Sequence, residues 1–85
     1  MDLSRPATFA VIRDAIVTVL RVPEEQVLEP NQIRDMRNVD SMTLMEISAF
    51  VEDALQIDID VGSLFEVHSV GEFVDICHDL RSSHA

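Results

Sequence analysis

Apolar residues at Phe9, Ile12, Ile16, Val19 and Leu20 recur every three or four positions, the spacing of a helix that buries one stripe. They predict a helix from Ser4 to about Arg21, with Pro6 tolerated in its first turn. The pattern then breaks. Val22 to Val39 carries Pro23 and Pro30, Asn31 and Asn38, and apolar Val27, Leu28, Ile33 and Met36 at irregular intervals, which reads as a long loop with buried anchors. Loops longer than about 12–15 residues are uncommon in small domains and are usually functional, so chemistry is expected at the far end of this one.

Asp40 and Ser41 open a second helix that runs to about Leu55 without glycine or proline. Ile57 to Val67 has room for one short helix around Ser63-Leu64-Phe65-Glu66, and the alternation Ile57-Asp58-Ile59-Asp60 is too short to make a sheet. A last helix starts at the capping-box pair Ser69 and Glu72 and continues through Val70, Phe73, Val74, Cys77 and Leu80. The expected fold is all-α, a small four-helix bundle of three longer helices and one short one with a long first loop.

The second helix carries two apolar stripes. Leu44, Ile47, Val51 and Leu55 share one face, the core side. Met42, Met45 and Ala49 lie on the opposite face among Glu46, Glu52 and Asp53. Two readings fit that second stripe: an adaptable protein-binding surface, or single exposed methionines on a solvated acidic helix.

Composition narrows the class. The 85 residues suit a single domain, residues 1–85, and 47% are hydrophobic, enough for one core. One cysteine, Cys77, excludes an internal disulfide or a cysteine zinc cluster. Sixteen acidic against six basic residues, with no lysine, give a net charge of −10. Nucleic acid and anionic membranes are therefore poor partners, and a basic protein surface is a good one. No apolar run approaches the roughly 18 residues of a membrane span, and a cytoplasmic monomer is expected.

The remaining chemistry-bearing residues have plain structural readings. Cys77 falls on the apolar stripe of the last helix, and His78, its sequence neighbour, points about 100° away, poor geometry for a dyad or for paired metal ligation. His68 and His84 read as loop and tail residues. Glu24-Glu25, Glu52-Asp53 and Asp58 with Asp60 lack calcium-loop spacing and read as solvated acidic faces, so no metal site is expected. Asp40 and Ser41 are ordinary helix-capping residues, yet a serine hydroxyl at a helix start after a long loop is exposed, among amides that favour phosphate.

At Asp40-Ser41-Met42 the chain resembles the acyl carrier proteins, which carry a 4′-phosphopantetheine arm on the serine of an Asp-Ser-Leu motif. The resemblance extends through Glu46, Ile47, Val51, Glu52, Asp53, Leu55, Ile57 and Ile59 to Val70-Gly71-Glu72-Phe73, and back to Val22-Pro23-Glu24-Glu25-Gln26-Val27. Met42 replaces the motif leucine, a volume-conserving change. Asn38 stands where glycine is frequent, Arg37 where a hydrophobic residue is usual, Thr43 for an acidic residue and Asp60 for a proline.

The resemblance implies a non-catalytic carrier. A phosphopantetheinyl transferase, holding its own magnesium, would direct the Ser41 hydroxyl onto the β-phosphate of coenzyme A, and the arm's thiol would hold acyl groups as thioesters. Asp40, Glu46, Glu52 and Asp53, with Met42 and Met45, would dock the carrier on basic surfaces of acyl-loading, condensing and acyl-transfer enzymes. The pathway implied is polyketide, modified-lipid or fatty-acid synthesis, and an acyl chain would lie among Leu44, Ile47, Val51, Leu64 and Val67. The alternatives are an unmodified acidic interaction module of the same fold, and an aminoacyl or peptidyl carrier. The start at Met1 favours a freestanding protein over an excised synthase domain.

Overall fold

The computed structural model describes residues 4–36 and 39–83; Arg37, Asn38 and His84 lie outside the described residues. Four α-helices follow in order: α1 (Arg5–Leu20), α2 (Ser41–Leu55), α3 (Val61–Glu66) and α4 (Val70–Ser83). No β-strand occurs among the described residues, and the all-α bundle of three longer helices and one short one is what the apolar spacing predicts.

Each helix begins at a side-chain cap. The Ser4 hydroxyl accepts from the Ala7 amide at 3.3 Å, and the Asp60 carboxylate accepts from the Ser63 amide at 3.1 Å. At α4 the capping box closes reciprocally. The Ser69 hydroxyl accepts from the Glu72 amide at 3.1 Å, while Glu72 Oε2 accepts from the amides of His68 and Ser69 at 2.8 and 3.3 Å. α1 and α2 both end on a residue in the left-handed conformation, Arg21 (φ 57°) and Gln56 (φ 56°).

α1 packs against both α2 and α4. Ile12, Ala15, Ile16, Ile47, Val51, Phe73, Val74 and Cys77 are fully enclosed, so the buried stripes read from periodicity meet in one core. A polar bridge crosses it: the buried Thr8 hydroxyl donates to the Ser4 carbonyl at 3.2 Å and accepts from Nη1 of the buried Arg81 at 2.8 Å. After α2 the short alternating stretch stays extended without pairing into a sheet. Ile57 and Ile59 turn into the core while Asp58 and Asp60 remain exposed, and the Ile59 amide donates to Glu52 Oε2 at 2.9 Å.

The first loop departs from expectation in two ways. It contains two short 3-10 turns, Glu24–Gln26 and Ile33–Asp35, where irregular apolar spacing had indicated none. Of its expected anchors, Val27 and Ile33 are buried and Met36 packs partly against the core, but Leu28 is 53% exposed. Backbone bonds take over the anchoring. The Ile33 amide donates to the His68 carbonyl, and the Val70 and Gly71 amides donate to the carbonyls of Asn31 and Glu29, all at 2.9 Å. Glu29 comes so near that a Cβ on Gly71 would lie 3.3 Å from the Glu29 carbonyl oxygen, which favours glycine there. The loop is thereby stapled to the α3–α4 junction.

Candidate functional site

The site is built where the loop delivers the chain into α2. Asp40 is the N-cap: its carboxylate accepts from the Thr43 amide at 2.8 Å, which satisfies one of the helix's open donors. That amide, reinforced by the Thr43 hydroxyl, holds the Asp40 carboxyl below its ordinary value of 3.8. Ser41 is therefore fixed as the first residue of α2, on the surface, and its hydroxyl makes no hydrogen bond within the described chain. A hydroxyl in this position is free to be esterified, and the adjoining amides and helix dipole favour the negative charge that a phosphoester would bring.

Beside Ser41 opens a cleft of about 220 Å³, lined by Arg34, Val39, Asp40, Ser41, Leu44 and Phe65. Its walls come from the second 3-10 turn, the start of α2 and the end of α3. Arg34 spans the first and last of these, because its Nη2 donates to the Phe65 carbonyl. Of the residues expected to receive an acyl chain, Leu44 reaches this cleft, whereas Ile47, Val51, Leu64 and Val67 are closed into the core. Arg34 and Phe65 were not singled out in the sequence, since only the folded loop brings them to Ser41.

The second stripe of α2 is on the surface. Met42 is 72% and Met45 49% exposed, and Glu46, Ala49 and Asp53 are exposed along the same side. Glu52 sits apart from this group: it is only partly exposed, and its carboxylate is engaged by the Ile59 amide. Asp40 is likewise committed to its capping bond, leaving Glu46 and Asp53 as the outward carboxylates beside the methionines.

The other titratable candidates lie elsewhere. Cys77 is buried in α4, and desolvation, with a smaller contribution from the charge of Glu52, pushes its thiol up to about 12. His78 Nδ1 is enclosed without a hydrogen-bond partner. Among the described residues no group of three or more His, Cys, Asp or Glu side chains could hold a metal ion.

A bundle with an exposed serine opening its second helix after a stapled loop has the form a prosthetic-group carrier needs. The family model for the phosphopantetheine attachment site matches residues 10–77. An acyl carrier protein of Saccharopolyspora erythraea is 26% identical over 78 residues, spanning 92% of this chain and 82% of that protein. The chain belongs to the acyl carrier protein family, whose prosthetic group is phosphopantetheine. Members of this family are carriers that interact with a phosphopantetheinyl transferase and with acyl-handling enzymes.

Proposed function

We propose that Ser41 is the attachment point of the 4′-phosphopantetheine arm and that the chain, catalysing nothing itself, presents acyl thioesters to partner enzymes. The observation that carries this reading is the exposed, unengaged Ser41 hydroxyl as the first residue of α2, held there by the Asp40 cap. The arm, when attached, supplies a terminal thiol for the thioester. The chain's own residues hold and display it: Asp40 fixes the serine's position, and the cleft leaves room beside the hydroxyl. An unassisted serine is a weak nucleophile, and among the described residues no histidine is bonded to this one, so its activation is assigned to the transferase. Incubating the protein with coenzyme A and a broad-specificity transferase is expected to add the mass of one arm to wild type and none to Ser41→Ala. A gain that survives in Ser41→Ala overturns the assignment.

Docking belongs to the outward stripe of α2. Met42 and Met45 supply adaptable apolar contact, and Glu46 and Asp53 orient a basic partner surface. Asp40 and Glu52, expected on the same docking surface, are engaged in their own structural bonds away from that face. Charges at the rim set encounter rates, so these complexes are fast and weak, as a shuttle requires. Glu46→Arg is expected to lower kcat/KM for arm transfer by about tenfold at low salt with helicity unchanged. Unaltered transfer kinetics under those conditions would remove Glu46 from the interface. The pathway reading is polyketide, modified-lipid or fatty-acid synthesis, and mass spectrometry of the thioester cargo recovered from cells decides among them.

A further inference from the structure

Resting on the assignment of Ser41 as attachment point, we propose that Arg34 is the positioning residue for the arm, its guanidinium holding the phosphodiester in the cleft beside Ser41.

Arg34 and Ser41 line the same cleft of about 220 Å³. Esterification puts the phosphorus one bond from the serine oxygen, so the phosphodiester's place is fixed by Ser41 whatever the rest of the long arm does. The cleft is wide enough for a group of that size, and among the described residues Arg34 is its one basic wall residue. The arginine is held from both sides. Its neighbour Ile33 is buried, with the Ile33 amide bonded to the His68 carbonyl at 2.9 Å, and the guanidinium donates through Nη2 to the Phe65 carbonyl. A guanidinium has five N–H donors in a planar fork suited to phosphate oxygens, and one carbonyl leaves most of them available.

Charge supports the choice. In a chain of net charge −10, Arg5 is paired with Glu29 and Asp75 and Arg13 with Glu24, whereas Arg34 meets a neutral carbonyl and no carboxylate within ion-pair distance among the described residues. The carboxylate that shares its cleft, Asp40, is already engaged by the Thr43 amide. A new monoanion at Ser41 adds to the repulsion of the whole molecule unless a cation meets it, and among the described residues that line the cleft Arg34 is the cation.

The test compares apo and fully loaded protein, with loading verified by intact mass, for wild type, Arg34→Gln and Arg34→Lys. Loading is expected to raise the melting temperature of wild type relative to that of Arg34→Gln by roughly 2–5 °C. Arg34→Lys should keep part of that difference, and 0.5 M salt should reduce it, as screening requires. The ³¹P resonance of loaded wild type should move on unfolding in urea by more than that of loaded Arg34→Gln. Equal apo-to-loaded shifts in wild type and Arg34→Gln overturn the proposal, as does a wild-type ³¹P resonance that is the same folded and unfolded. Failure of wild type to gain an arm on Ser41 overturns the attachment reading instead, so the two failures are distinct.

Discussion

Cys77 shows how one residue's surroundings decide its chemistry. An exposed thiol near its ordinary value of 9.0 is partly ionised at pH 8, and the thiolate is the reactive form. On α4 the same side chain is fully enclosed, and desolvation pushes it up to about 12, which cuts the thiolate population about a thousandfold before access is considered. It behaves as a small core hydrophobe. Iodoacetamide at pH 8 should alkylate the native protein at least about a hundredfold more slowly than the urea-unfolded chain. Comparable rates would show the thiol to be accessible. Ser41 is the opposite case, a common side chain left exposed and without a hydrogen bond among the described residues at a capped helix start.

Among the elements, those whose signals are local were legible in the chain and those held by distant partners were not. α2 could be bounded because its cap, its buried stripe and its outward stripe all lie within the run Asp40 to Leu55, and Asp40, Ser41, Met42 and Met45 take the places that capping preference and periodicity assign them. The capping box of α4 is equally local. The first loop is not: its turns are held by bonds from Ile33 to His68, from Val70 to Asn31 and from Gly71 to Glu29, partners 35 to 42 residues apart, and no spacing within the loop encodes them. Arg34 and Phe65 were missed for the same reason, and so was the commitment of Glu52 to the Ile59 amide. Helix ends give a sharper test of local physics. α1 terminates on Arg21 at φ 57°, ψ 43°, a conformation in which a Cβ costs about 1 kcal/mol and glycine costs none. Arg21→Gly should therefore be more stable than Arg21→Ala by about 1 kcal/mol in urea unfolding, a comparison in which the lost charge is the same. Equal midpoints would mean the left-handed cap carries no strain.

At the scale of the whole molecule the question is what offsets a charge of −10. One part of the answer is Arg5, at the start of α1, which donates to Glu29 in the loop at 2.6 and 3.0 Å and to Asp75 on α4 at 2.7 Å, joining three segments far apart in sequence. Its hydrogen bonds to Glu29 and Asp75 raise the Arg5 value further, so the arginine stays charged throughout the accessible range. Glu29 carries the pH dependence: the Arg5 hydrogen bond holds its carboxyl below the ordinary 4.5. A carboxylate depressed in the folded state contributes stability that is present above 4.5 and lost as the pH falls through the folded value. Removing a negative charge anywhere also relieves general repulsion, which opposes this effect. Glu25→Gln, at an exposed position with no side-chain partner among the described residues, makes the same charge change and serves as the reference. At pH 7 and 0.15 M salt, where distant charges are largely screened, Glu29→Gln should melt a few degrees below Glu25→Gln. The gap should close on acidification below 4.5. A gap that stays constant down to pH 3 would assign the effect to packing of the Glu29 side chain, and no gap at pH 7 would remove Arg5 as the clasp of the bundle.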